Sequence, residues 1–326
     1  MKAVFLDFAT MGDGLDLGAL EAAVGELQVF DSTSDDELPG RIADADLVFT
    51  NKMQLSADLL AAAPGLRFIG LTATGCDNID LDAARRGGIA VANIRGYCTQ
   101  SVVEHVLGVL LMLTHNLGAY RASVAAGEWQ RAGMPFLLAH PIRQLGSLTL
   151  GIVGYGELGR GVAAAGQALG MRVLVSARAG AASVPDGRVP FRTVLAEADA
   201  ISLHCPLTDA TRNLFGADEF RRMKPSAILV NTARGGLVDS RALAEALANR
   251  QIAGAAVDVL PSEPPVDGDP LLDYTGDNLI VTPHVAWASA EARQNAIDEL
   301  AANARAFIAG ESRNRVDQAP TDPDID

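Results

Sequence analysis

The sequence predicts an α/β protein with two doubly wound parallel sheets, one sheet inserted into the chain of the other. Three observations predict it. Short β-branched runs alternate with alanine- and leucine-rich helical stretches along the whole chain. The alternation stops once, at a long apolar helix, and then restarts with six more strands. A glycine-rich turn lies mid-chain, at the start of that second series.

The first series has strands at Val4–Leu6, Leu47–Phe49, Phe68–Leu71 and Ile89–Val91, with a helix over Leu55–Ala63 among them. The opening MKAVFLDFAT carries one lysine and then alternates toward Asp7, so it reads as a strand and not as a secretory leader. A long helix follows over about Ser101–Leu117. Its apolar stretch, Val106–Leu113, is flanked by His105 and His115 and is too short to span a bilayer. An irregular segment with Gly127, Trp129, Gly133, Pro135 and Pro141 separates the two series.

The second series has strands at Leu148–Val153, Arg172–Val175, Ala200–Leu203, Ile228–Asn231, Ala255–Val259 and Leu279–Val281, with helices such as Leu158–Leu169 and Ser240–Ala248 between them. Six strands with short crossovers make a complete doubly wound sheet. A last helix over Ser289–Ala309 follows, and the acidic, proline-bearing tail QAPTDPDID is expected to fray.

With 326 residues the chain is too long for one ordinary core, and 49% hydrophobic against 20% charged residues exclude wholesale disorder. A net charge of −14, with no basic run, argues against nucleic acid or an anionic membrane as a partner. The cysteines are Cys76, Cys98 and Cys205, and no CxxC occurs. Neither a disulfide framework nor a metal site is expected, and the chain reads as cytoplasmic.

The glycine turn is GIVGYGELGRG, with Gly154, Gly156 and Gly159 in GxGxxG spacing after an apolar strand and before an alanine-rich helix. That context makes it a dinucleotide site. Gly154 permits the tight turn, Gly156 lets backbone approach a pyrophosphate, and Gly159 lets helix pack on strand. The helix N-terminus then offers N–H groups to the phosphates. A dinucleotide-binding Rossmann domain over 102–287 is therefore expected inside a flavodoxin-like substrate domain of 1–101 plus 288–326, with a ligand cleft between the lobes.

Three further segments end strands of the same sheet. NTARGGLVD presents Arg234 ahead of two glycines, AAVDVLPSEPP presents Glu263 among prolines, and TPHVAWAS presents His284. A guanidinium can hold a carboxylate and polarise a neighbouring carbonyl. An imidazole delivers a proton near working pH, and a glutamate beside it favours its charged form. Together these suit the reduction of a 2-oxo acid by hydride from a nicotinamide cofactor.

These segments, with FLDFAT, ATGCDNIDLDAARRGGIAVANIRGYCTQSVVEH, HPIRQLGSLTLGIVGYGELG and HCPLTDATRNL, resemble in order the D-isomer-specific 2-hydroxyacid dehydrogenases over nearly the whole chain. Trp287 close after His284 resembles the glycerate dehydrogenase/hydroxypyruvate reductase branch. The resemblance implies that Arg234, Glu263 and His284 are the catalytic set. It implies that the Thr74–Gly75 backbone holds the substrate carboxylate, with Asn51, Lys52 and Trp287 near the same pocket. It implies that Thr99, Tyr155, Glu157, Leu158, His204, Cys205, Pro206, Thr211, Thr232, Ala233 and Asp258 line the cofactor site. The long helix and the arm before Leu148 would form a two-fold homodimer interface. Met11, Met53 and Trp287 would set the bulk over the pocket.

One stretch departs from the pattern. In LVSARAG, position 177 is alanine where NAD-using relatives have an acid that binds the ribose hydroxyls. Such an acid would also repel a 2′-phosphate; Ala177 removes that repulsion, Arg178 supplies a cation and Ser176 a hydroxyl, so of NAD(P) the chain is expected to favour NADP. Two alternatives stand beside reduction of hydroxypyruvate or glyoxylate: the same chemistry on another 2-oxo acid, and a dinucleotide-sensing corepressor-like binding protein on the same fold.

Overall fold

Residues 1–318 of the computed structural model are described here; Ala319–Asp326, nearly all of the tail expected to fray, lie outside the described residues. The chain separates into two units, one of Met1–Cys98 together with the segment from Ala288, the other of Thr99–Trp287. The crossing from the first to the second falls where the helix Thr99–Thr114 begins.

The first unit holds five parallel strands: β1 (Lys2–Phe5), β2 (Glu26–Val29), β3 (Leu47–Thr50), β4 (Phe68–Leu71) and β5 (Ala90–Ala92). Their order is β2-β1-β3-β4-β5, so the direction of winding reverses between β1 and β3. β3, β4 and β5 are buried along their whole length, as parallel strands covered on both faces must be. One face is covered by a core of Leu6, Leu38, Ile42, Val48, Leu60, Ile69 and Val91. The other meets the helix Ala290–Ile308: a Cβ on Gly70 would stand 2.5 Å from the Leu300 side chain, so only glycine lets that helix lie so close. Asp317 fastens the returning chain, accepting the Val91 N–H at 2.8 Å and pairing with Arg315.

The second unit holds β6 (Thr149–Val153), β7 (Arg172–Val175), β8 (Ala200–Leu203), β9 (Ile228–Asn231), β10 (Gly254–Val257) and β11 (Leu279–Val281). All pair in parallel, in the order β11-β10-β9-β8-β6-β7, with the reversal between β6 and β8. The helix Glu157–Ala168 packs on β6 and β7 through Val162, Ala163 and Gly166.

Several expectations shift. β2 carries no β-branched run and alternates between exposed and half-buried residues, and it adds a strand to the four expected. The helix expected over Leu55–Ala63 is only Ala57–Ala61, because Leu55 instead bridges Ile79. The long helix ends at Thr114, where Asn116 takes a left-handed conformation (φ 51°), and separate helices cover Leu117–Ala125 and Glu128–Arg131 within the segment read as irregular. Among the described residues no single helix is long and apolar enough to cross a membrane; Thr99–Thr114 and Leu117–Ala125 reach that measure only together, across a 55° bend.

Candidate active site

Where winding reverses between β6 and β8, a doubly wound sheet opens a crevice at the carboxyl ends of its strands. The structure shapes that edge around the three fingerprint glycines. A Cβ on Gly154 would stand 2.4 Å from the Cys205 backbone nitrogen, and one on Gly159 would stand 2.1 Å from the Gly154 carbonyl oxygen. These two are packed tight. A Cβ on Gly156 would meet nothing within 4 Å, which leaves its backbone open to a ligand at the start of the helix Glu157–Ala168. Thr99 donates its hydroxyl to the Glu157 carboxylate at that helix's first turn.

The neighbouring strand ends supply polar atoms that await partners. The His204 Nδ1, after β8, and the Thr232 hydroxyl, after β9, are both buried without a hydrogen bond. The other ring nitrogen of His204 meets Ser202 at 2.9 Å. Burial pushes His204 down to about 4 and the Cys205 thiol up to about 11, so both stay neutral at physiological pH. Thr211 donates to the Pro206 carbonyl at 2.7 Å and so closes the loop that carries Pro206. A crevice with an open glycine backbone, a helix N-terminus and orphaned polar atoms fits a dinucleotide.

The catalytic candidates follow the three consecutive strands β9, β10 and β11. Arg234 ends the β9 segment in extended backbone, with its carbonyl held by Asn231 Nδ2 at 3.0 Å and its guanidinium donating to the Ala233 carbonyl at 2.8 Å. Gly235 comes next, and a Cβ there would fall 2.0 Å from the Leu260 carbonyl carbon. The Arg234 loop therefore lies flat against the Leu260–Pro261 peptide of the loop carrying Glu263. Glu263 accepts the Leu260 N–H at 2.8 Å through one oxygen and meets His284 Nδ1 at 2.6 Å through the other.

His284 occupies a left-handed turn (φ 56°), a conformation that side-chain-bearing residues rarely adopt. Asp258, buried at the end of β10, builds that turn. Its carbonyl accepts the His284 N–H at 2.7 Å, and its carboxylate accepts the Val285 and Ala286 N–H groups at 2.9 Å and the Thr282 hydroxyl at 2.5 Å. The Trp287 indole donates back to the His284 carbonyl at 3.0 Å.

In the first unit, Thr74 and Gly75 follow β4. The Thr74 hydroxyl donates to Ile94 at 3.0 Å, and its carbonyl accepts Asn93 Nδ2 at 2.7 Å, so the loop is pinned with its backbone at the strand ends. Asn51 and Lys52 follow β3, and both backbone N–H groups donate to the carboxylate of Asp7.

The family model for the D-isomer specific 2-hydroxyacid dehydrogenase NAD-binding domain matches residues 107–286. The chain belongs to the D-isomer-specific 2-hydroxyacid dehydrogenases. It is 43% identical over 310 residues to glycerate dehydrogenase of Methylorubrum extorquens, covering 93% of this chain and 98% of that one. It is 35% identical over 325 residues to hydroxypyruvate reductase of Blautia hydrogenotrophica, covering 98% and 100%. Among solved structures it superposes with TM-score 0.83 on an acyclic imino acid reductase in complex with NADPH and D-Arg, at 25% identity and over 97% of this chain and 100% of that one. The protein is thus an oxidoreductase that uses a nicotinamide cofactor on small 2-oxo or 2-hydroxy acids.

As a 2-hydroxyacid dehydrogenase, the chain departs from the sequence expectations at two places. Met11 is fully buried in the turn Phe8–Met11 of the first unit, so it cannot set bulk over a substrate. Ser176 is also buried, and its hydroxyl donates to the Ala177 carbonyl at 2.7 Å; it is therefore withdrawn from the groups offered to a 2′-phosphate. Ala177 lies under cover beside it, where Ser176 bridges Val189 and the Ala177 N–H donates to the Val189 carbonyl. Arg178 is exposed. Sequence reading placed Asp258 in the cofactor site but missed that it folds the His284 turn, and it passed over Asp7. The one signal for each was an aspartate at the end of an apolar strand.

Proposed function

We propose that the protein reduces hydroxypyruvate or glyoxylate to D-glycerate or glycolate, with His284 as general acid, Glu263 as its orienting partner and Arg234 as the group that binds and polarises the substrate. The observation that carries this is the 2.6 Å pairing of His284 Nδ1 with Glu263, on adjacent strand ends of the dinucleotide-binding sheet. Glu263 accepts the Nδ1 proton, which fixes the ring and leaves Nε2–H as the transferable proton. The guanidinium of Arg234 takes the substrate carboxylate and draws electron density toward the 2-oxo oxygen. When bound, the nicotinamide supplies hydride to the 2-oxo carbon. As that bond forms, the carbonyl pair moves onto oxygen, Nε2 gives up its proton to it, and the imidazolium becomes neutral imidazole. We assign the backbone of Thr74 and Gly75, and Asn51, Lys52 and Trp287, to the same 2-oxo acid.

Among cofactors we favour NADP. The supporting features are the absence of a carboxylate at Ala177 and the exposed cation Arg178 beside it. We further propose a homodimer formed through the helices and arm of residues 99–147. Trp129, Met134, Phe136, Leu138 and Ile142 on this arm are all exposed, Leu138 to 79%, and this many exposed large apolar residues within one segment supports a protein partner for it. The net charge of −14 speaks against nucleic acid and anionic membrane as partners, and three free cysteines are consistent with the cytoplasm. A steady-state panel of hydroxypyruvate, glyoxylate, pyruvate and a bulky 2-oxo acid, each with NADH and NADPH, tests the assignment. The highest kcat/KM is expected for hydroxypyruvate or glyoxylate with NADPH; a bulky acid winning would overturn it.

A further inference from the structure

The first unit has a winding reversal of its own. Its strand order reverses between β1 and β3, and an open parallel sheet offers a ligand the carboxyl ends of the strands at such a reversal. Here the chain fills that position with its own carboxylate. Asp7, two residues past β1 and buried, accepts the Asn51 N–H at 3.0 and 3.2 Å and the Lys52 N–H at 2.7 Å. A buried carboxylate costs far more to leave unsatisfied than these bonds return, so the pairing is stringent. The ring closes through Thr10, which donates to the Asp7 carbonyl at 2.7 Å and accepts Asn51 Nδ2 at 3.1 Å. The far side of the turn is held as well: Met53 N–H donates to the Thr50 hydroxyl at 3.0 Å, and Asn78 Nδ2 donates to the Met53 carbonyl at 2.9 Å.

The turn 50–53 is thus fixed on both sides, with Asn51 buried and Lys52, the one charged residue of the turn, exposed. An internal anion that takes two consecutive amides does for this turn what a bound phosphate does for a glycine loop: it fixes the backbone from which the Asn51 and Lys52 side chains leave. We propose that Asp7 is a positioning residue for the 2-oxo acid, acting through the Asn51–Lys52 turn to aim the Lys52 ammonium at the substrate's polar groups. The inference rests on the substrate reading given above, and adds to it a residue that itself touches neither substrate nor cofactor.

The test compares Asp7→Asn, Lys52→Met, the double variant and Thr10→Val, all in the full chain. Asp7→Asn keeps the shape but turns an N–H toward one of the two backbone donors. It should raise KM for hydroxypyruvate roughly tenfold, the loss of one hydrogen bond to a charged group. The KM for NADPH and the Kd for NADPH from fluorescence titration should stay unchanged. Thr10→Val, on an exposed residue, should move KM the same way by less and covers the case in which Asp7→Asn fails to fold. The double variant should be no worse than Lys52→Met alone, since the two act through one path. An unchanged hydroxypyruvate KM in Asp7→Asn and Thr10→Val, an equal loss in NADPH binding, or effects of Asp7→Asn and Lys52→Met that multiply would each overturn the inference while leaving the substrate reading intact. Unmodified enzyme that turns over no 2-oxo acid would overturn the reading and the inference together.

Discussion

His284 Nδ1 and Glu263 Oε2 stand 2.6 Å apart, and the other oxygen of Glu263 is held by the Leu260 N–H. The glutamate is therefore anchored before it orients the imidazole. Removing the imidazole should cost more than neutralising its partner. His284→Ala is expected to lower kcat for reduction about 10²–10⁴-fold, the range for loss of a general acid. Glu263→Gln should cost less, because an amide oxygen can still accept the Nδ1 proton. Stopped-flow hydride transfer with saturating NADPH reads both; near-normal turnover in His284→Ala would remove the histidine from the chemistry.

Gly235 offers a test of how the Arg234 loop is seated. A methyl group there would fall 2.0 Å from the Leu260 carbonyl carbon, which belongs to rigid backbone and cannot yield as a side chain would. Gly235→Ala should destabilise the fold by about 1–3 kcal/mol, as overpacking does. It should also lower kcat/KM for the 2-oxo acid, because Arg234 and Glu263 are displaced relative to each other. Thermal melts and steady-state kinetics on one preparation would show both effects; a variant with normal Tm and normal kinetics contradicts the packing.

Cofactor choice is best tested at Arg178. Ala177 is covered, so an introduced carboxylate there must first be accommodated. Arg178 is exposed and can be changed without that cost. Arg178→Gln should raise KM for NADPH roughly tenfold, the loss of a charge-assisted contact, and leave KM for NADH nearly unchanged. Ala177→Asp should shift the same ratio further toward NADH, at some expense in stability. Equal effects on the two cofactors would remove both residues from 2′-phosphate recognition.

The buried imidazole of His204 makes a prediction about pH. Its ordinary value of 6.5 is pushed down to about 4 by burial. Between those values the unfolded chain binds a proton on this ring and the folded chain does not. Stability therefore falls as pH drops through this window, by about 2 kcal/mol from pH 7 to pH 5 for this group alone. His204→Gln cannot titrate, so its Tm should decline less over the same interval. Circular-dichroism melts at the two pH values measure it, and equal slopes for the two proteins would show that the ring is not held neutral.

Much of this was readable from sequence because strand ends are where open α/β sheets place their chemistry. Arg234, Glu263 and His284 each follow a short apolar run with the character of a strand, so their placement along one sheet edge could be read from the pattern. Other features depend on partners far away in sequence. β2 is four residues of ELQV, and only its pairing with β1 makes it a strand. The break at Asn116 interrupts an apolar run that local propensity would continue. Met11 has the character of a pocket residue, but its position in the Phe8–Met11 turn points it into the core. The carboxylates of Asp7 and Asp258 organise turns tens of residues away, and their place at the end of an apolar strand does not by itself say which turn each one holds.

The return of the helix Ala290–Ile308 to the sheet of the first unit has a consequence during synthesis. Gly70 is shaped to receive Leu300, and Val91 and Arg85 bond to Asp317, so β1–β5 emerge from the ribosome lacking the element that covers one face. At ordinary elongation rates that face waits roughly ten to forty seconds while the whole of the second unit is made. The nascent chain must therefore keep an apolar sheet surface out of aggregates for that interval. Released chains that end at Trp287 should recruit chaperones through the first unit, whereas the second unit then has all six of its strands.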